Sequence, residues 1–174
     1  MHAAERRTEI LARLRNTSAP LSATTLARQF SVSRQIVVGD IALLRAGGEE
    51  IDATPRGYLL RRPAAGERYT IACHHSPEDM GRELYLCVDN GCTVLDVIVE
   101  HPLYGQLVGQ LQLASRYDVG QFLEQAGRAK ASPLSLLTDG LHLHTLLCPD
   151  RESYLRVCRA LREAGILLEG QGED

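Results

Sequence analysis

No stretch of this 174-residue sequence strings together the roughly 18 apolar residues of a membrane span. The opening "MHAAERRTEILARLR" lacks the apolar core that marks a secretory leader. Both absences predict a soluble chain working in the cytoplasm, with no membrane partner. The cysteines, Cys73, Cys87, Cys92, Cys148 and Cys158, are odd in number and show no C-x-x-C spacing. That pattern predicts neither a disulfide framework nor a zinc ribbon and makes most of them small core residues. Cys73, two residues before His75, could also face a site. What is present, 44% hydrophobic and 24% charged residues, is globular in composition. The length suits one ordinary domain or two small ones.

The net charge of -3 hides an asymmetry. Divided at "PAAG" (63–66), residues 1–62 carry ten arginines against six acids, and residues 63–174 carry nine basic against sixteen acidic residues. A basic front and an acidic back suggest a nucleic-acid-binding unit, residues 1–62, fused to a unit with another task, residues 67–171.

In the front unit, Ile10, Leu11 and Leu14 recur at helical spacing with arginines opposite. Ser22 then reads as the N-cap of a short helix reaching Phe30, "SVS" as a tight turn, and Ser33 as the cap of a helix from about Arg34 to Ala46. Ile36, Val37, Ile41 and Leu44 are its expected core residues, and Gly47 and Gly48 end it. Two short extended segments around Pro55-Arg56-Gly57 follow, as in a wing. The order is that of a winged helix-turn-helix, and "LSATTLARQFSVSRQIVVGDIALLRAGG" with "TPRGYLL" resembles the DNA-binding domains of bacterial repressors such as the biotin repressor. Val37 and Val38 depart from that resemblance, standing where many relatives carry a polar or small residue.

In such a domain the start of the second helix reaches base edges in the major groove. Ser33, Arg34 and Gln35 are therefore the candidate DNA contacts, Arg being able to grip guanine and Gln adenine. Arg56 at the wing tip would meet phosphate or the minor groove. The plainer alternative makes them solvated surface residues of a small helical bundle.

The back unit reads as strand, helix, strand, strand, helix, strand, helix, an α+β open-faced sandwich with helices on one side of an antiparallel or mixed sheet. "SPEDMGRELYLCVDNG" has Ser at the cap, Pro at the first helical position and acids in the first turn. Asp118 is the expected cap of the next helix, and "ILLE" follows the last one.

"LHLHTLLC" places His142 and His144 at i and i+2 of a strand, on one face about 6.5 Å apart. They could both ligate one ion, or be polar residues on a wet face. His75, just before the helix cap, and Glu83, two turns on, would complete three imidazoles and a carboxylate, a set suited to zinc, nickel, iron or manganese. The positive helix end opposes a cation there, and a charged Glu83 offsets it. Glu100 and His101 end a strand before a Pro turn, and His101 could be a plain turn residue. Arg116 could grip a ligand carboxylate or be an exposed arginine beside a cap.

The stretches "CHHSPEDMGRELYLCVDNGCTVLDVIVEHPLYGQL" and "SPLSLLTDGLHLHTLL" resemble the three-histidine domain of the nicotinate-responsive niacin repressors, the NiaR family. The likeness spans nearly the whole chain, since members also carry a winged helix. It implies a transcriptional repressor that binds operator DNA as a homodimer with nicotinic acid as co-repressor, controlling niacin or NAD genes. It also implies a divalent metal on His75, Glu83, His142 and His144, with His74 the competitor for the first position and His101 a pocket candidate. Two rivals stand beside it: a regulator that senses the metal itself, and a metal-dependent hydrolase. Only Asp139 and Glu100 offer the hydrolase an acid or base, so no enzyme is expected.

Overall fold

The computed structural model describes residues 2–169. The chain divides into two compact units, Met1–Pro63 and Ala64–Asp174. The outer limits expected for the domains, residues 1 and 171, lie outside the described residues.

In the first unit three helices, α1 (Ala3–Arg15), α2 (Ala23–Phe30) and α3 (Arg34–Ala46), precede a hairpin of β1 (Ile51–Thr54) and β2 (Gly57–Leu60). Ser22 and Ser33 cap α2 and α3, their hydroxyls accepting from the N–H of Thr25 and Ile36. Between the helices Ser31 takes a left-handed φ of 53°, which stops α2 and turns the chain. The wing is sewn to the segment before α2, because Leu21 and Tyr58 exchange both backbone hydrogen bonds. That approach requires Gly57, since a Cβ there would stand 2.5 Å from the Leu21 carbonyl.

Ile10, Leu14, Leu26, Val37, Ile41 and Ile51 form the core of this unit. Val37 is thus a packing residue. Ile36, expected beside it, is 44% exposed, because adjacent helical residues point about 100° apart. The inner face of α3 carries a charge instead. Asp40 is buried and receives Arg6 Nε at 2.6 Å and Nη2 at 3.3 Å, with Arg7 Nη1 at 3.7 Å. Two arginines of α1 therefore do more than face solvent: they tie α1 to α3.

The second unit runs β3 (Glu67–His74), a single 3-10 turn (Pro77–Asp79), α4 (Met80–Asp89), β4 (Thr93–His101), β5 (Gly105–Leu113), α5 (Arg116–Ala129), a second 3-10 segment (Leu134–Thr138), β6 (Leu141–Cys148) and α6 (Arg151–Glu163). The strands form one antiparallel sheet in the order β3-β6-β4-β5, so the expected sandwich is observed. "ILLE" runs along the free edge of β3: Ile166 O accepts from His74 N–H, and Ala72 O from Leu168 N–H. Leu84, Cys87 and Val88 of α4, Val119 of α5, and Val157, Cys158 and Leu161 of α6 belong to one core with Ile71, Val94, Leu111, Leu113 and Leu146 of the sheet.

Two expectations are corrected. The cap of α5 is Ser115, whose hydroxyl accepts from Asp118 N–H while the Asp118 carboxylate accepts from Ala114 N–H. Asp118 thus belongs to the first turn and reaches back, as the acid of a capping box does. Cys92 and Cys148 are disulfide-linked, a bond the spacing did not suggest. They lie 56 residues apart, and only the pairing of Thr93 with Leu147 in the ladder makes them neighbours. All five cysteines are buried, as expected. Among the described residues, no helix is long and apolar enough to cross a membrane.

Candidate functional site

Strand alternation decides the first question about the histidine pair. Along β6 the buried residues are His142, His144, Leu146 and Cys148, so both histidines lie on the sheet's buried face rather than on a wet one. Glu83, in the first turn of α4 and only 1% exposed, reaches them. His75, on the short link between β3 and the 3-10 turn, completes the group.

The contacts converge on one carboxylate. Nε2 of His75 lies 2.6 Å from Glu83 Oε2, and Nε2 of His142 lies 3.0 Å from Oε1 and 3.2 Å from Oε2. Nε2 of His144 stands 3.3 Å from Oε2, in ion-pair range but without hydrogen-bond alignment. The opposite nitrogen of each ring is occupied. Nδ1–H donates to the carbonyl of Ser76 in His75 (2.6 Å), of Gly140 in His142 (2.9 Å) and of Asp96 in His144 (2.5 Å).

This pattern restricts the charge the centre can hold. A ring that gives Nδ1–H to a carbonyl can donate again from Nε2 only as imidazolium, and three imidazoliums around one carboxylate would bury excess positive charge. Neutral rings instead offer three Nε2 lone pairs beside a carboxylate, the usual donor set for a divalent transition metal, with carbonyls fixing the tautomers from behind. Nε2 of His144 is the clearest sign, being buried with no hydrogen-bond partner among the described residues. The residues present therefore fit a metal ion.

Without an ion, the electrostatics run between the same groups. Burial pushes Glu83 upward, but the charge of His144 and contacts with His142 and His75 outweigh it and hold the carboxyl well below its ordinary range. Burial pushes His75 and His144 downward, and Glu83 overrides it, so both are raised. Cys73 forms a close group with Glu83 and His142. Burial first, and then the Glu83 charge, push its thiol up.

Two backbone devices hold the rings in place, and apolar patterning hid both. Gly140 takes a φ of +92°, and its carbonyl serves both His142 Nδ1 and the backbone N–H of His75. A Cβ at this position would fall 2.3 Å from the His75 carbonyl oxygen, so the "DG" before the histidine pair is a working part of the site. The β4–β6 register shifts by one residue between Val94 and Ile98. At this bulge the Asp96 carbonyl meets His144 and its carboxylate accepts Thr145 N–H at 2.9 Å.

The other candidates make contacts of their own. His74 is exposed, with Nε2 at 3.0 Å from the Asp139 carbonyl. His101 accepts at Nδ1 from the N–H groups of Leu103 and Tyr104, holding its own hairpin turn. Arg116 grips Asp89 at 2.7 and 3.1 Å and lies over the Tyr85 ring at 4.6 Å. In the first unit Ser33, Arg34 and Gln35 stand exposed at the start of α3, and Arg56 sits half-buried in the wing turn.

A winged helix presenting the start of its recognition helix, followed by an α/β unit with a buried histidine–carboxylate centre, is the architecture of a DNA-binding transcription regulator. Residues 6–59 match the HTH domain family, and residues 68–170 match the 3H domain family. The chain is 44% identical over 170 residues to the transcription repressor NadR of Bacillus subtilis (strain 168), covering 95% of this chain and 94% of that protein. It is 42% identical over 165 residues to the probable transcription repressor NiaR of Thermotoga maritima, with the same coverages. The chain belongs to this NadR/NiaR family of transcription repressors.

Proposed function

We propose that the chain represses transcription as a homodimer that binds operator DNA through its winged helices, with nicotinic acid as co-repressor at a divalent-metal centre held by His75, Glu83, His142 and His144. The observation that carries this reading is the convergence of three carbonyl-backed imidazoles on one buried carboxylate. A bound ion with an open position supplies a Lewis-acid contact for the carboxylate or ring nitrogen of a pyridine carboxylic acid. The protein residues orient and exclude water from that position. His101, whose Nδ1 accepts from its own turn, keeps Nε2–H for a ligand oxygen. Arg116 is engaged by Asp89.

On the DNA side, Arg34 and Gln35 read base edges, Ser33 positions the helix start, and Arg56 meets the backbone or minor groove. Two copies would meet half-sites about 34 Å apart or a multiple of that. The controlled genes are those of niacin uptake or NAD synthesis, and the protein acts in the cytoplasm without enzymatic turnover. The 3H family match and the two repressor relatives support this reading.

The test is operator affinity, using duplex DNA enriched from a random pool by metal-loaded protein with nicotinate present. Nicotinate should tighten binding about 5–150-fold, equivalent to about 1–3 kcal/mol of coupling, and DNA should tighten nicotinate by the same factor. Chelation should abolish the effect. Unchanged affinity on metal-loaded protein would sink the co-repressor reading, and full tightening by metal alone would make the ion the signal.

A further inference from the structure

The proposed centre uses three histidines and a carboxylate, yet a sulfur atom stands beside them unused. Cys73 pairs directly with His142 across the β3–β6 ladder, and residues so opposed hold their Cβ atoms about 4.5–5.5 Å apart on the same face. Cys73 is fully buried. Its Sγ, a carboxylate oxygen of Glu83 and a ring nitrogen of His142 all lie within 4.8 Å of one another. Cys87 and Cys158 are also free and buried, but neither belongs to this cluster. A cysteine that served packing alone would need only apolar neighbours, whereas this one faces a carboxylate and an imidazole. Nε2 of His144, which shares Glu83 with this cluster at 3.3 Å but makes no hydrogen bond among the described residues, is a second, independent sign that the site is built for a ligand.

We infer that Cys73 is a direct sulfur ligand of the metal centre in this chain, and that its thiolate selects zinc over the harder ion manganese. The inference rests on the metal-centre reading above. Thiolate is the ligating form, so the thiol proton passes to solvent as the ion enters. A soft sulfur donor among imidazoles and one carboxylate favours a borderline-soft ion that accepts mixed N, S and O ligands.

Cobalt(II) added to chelator-stripped full-length protein tests this, because visible ligand-field bands report any bound cobalt and an intense near-ultraviolet charge-transfer band reports a thiolate–cobalt bond. The wild type should show both. Cys73→Ser should keep the visible bands, lose the near-ultraviolet band, and bind zinc about tenfold or more weakly in competition with a chromophoric chelator. Cys87→Ser should retain both bands. Visible bands without the near-ultraviolet band in the wild type, or a near-ultraviolet band that survives Cys73→Ser, would overturn the sulfur ligand and leave the histidine–carboxylate centre standing. Absence of both bands would overturn the metal centre itself, and the inference with it. Should Cys73→Ser fail to fold, Cys73→Ala carries the same test, with the same outcomes.

Discussion

Two carboxylates are buried most deeply, Asp40 in the first unit and Glu83 in the second, and they are treated in opposite ways. Asp40, 4% exposed, is held by Arg6 and Arg7, whose charge is permanent. Glu83, 1% exposed, is surrounded by imidazoles that can give up their protons. The first arrangement is complete as it stands and fixes α1 against α3. The second leaves Nε2 of His144 buried without a hydrogen bond among the described residues. The first unit settles its buried charge and leaves the proposed DNA contacts Arg34 and Gln35 in solvent; the second buries its proposed metal ligands. A buried carboxylate is therefore read by its partners: guanidinium neighbours mark a joint, and carbonyl-backed imidazoles mark a site.

The largest test of that contrast is removal of the Glu83 charge. Glu83→Gln should abolish equimolar metal uptake, and with it a stabilisation of about 4 kcal/mol at free ion about a thousand times its dissociation constant. For a chain of this length the melting midpoint of metal-loaded protein should fall by roughly 8–16 °C. A variant that keeps its ion and its midpoint would place Glu83 in the same class as Asp40. Gly140→Ala comes next. Its Cβ would strike the His75 carbonyl, so urea unfolding should show a loss of about 1–3 kcal/mol, and a metal titration should show weakened uptake through the displaced His142. Unimpaired uptake would show that the "DG" turn is not part of the centre.

In the first unit the expected effects separate the joint from the reading surface. Arg34→Ala should cost about 1–3 kcal/mol of operator affinity with stability unchanged within about 0.5 kcal/mol. Asp40→Ala should do the reverse, lowering stability by about 1–2 kcal/mol through the loss of a partly buried ion pair, with metal uptake untouched. If Asp40→Ala altered metal stoichiometry, the two carboxylates would not be independent.

The smallest effect is in pH dependence. In chelated protein the contribution of Glu83 is present above the ordinary carboxyl pKa and is lost as pH falls through its depressed folded value. The contributions of His75 and His144 are present below the ordinary imidazole pKa and are lost as pH rises through their raised folded values. These contributions are therefore largest between about pH 4.5 and 6.5. Metal-loaded protein follows the opposite trend, because protons compete with the ion for the same nitrogens. The gap in melting midpoint between the two forms should widen from about pH 6 to 8, and a constant gap would mean that the ion binds elsewhere.

Local rules made much of this legible in the sequence. Helical spacing, the Ser22 and Ser33 caps, the wing turn and the strand–helix order of the back unit depend on neighbours a few residues away, and they appear as expected. The motifs around the histidines carried the family, which the two relatives bear out. Ile36 differs from the expectation by a single helical step, where a rotation of about 100° per residue separates core from solvent, and Asp118 by three residues, since it reaches back from the first turn of the helix that Ser115 caps.

By itself, then, the sequence determined which elements form, in what order, and which side chains of a metal-binding type the chain possesses, since these follow from short-range periodicity and residue chemistry. Only the tertiary structure decided that His142 and His144 face inward onto Glu83, that Cys73 stands opposite His142, and that Cys92 meets Cys148. It also decided that Asp40 binds two arginines of another helix. Those outcomes depend on strand register, on a bulge at Asp96 and on which sheet face the helices cover, and a one-residue slip in any of them would reverse the result.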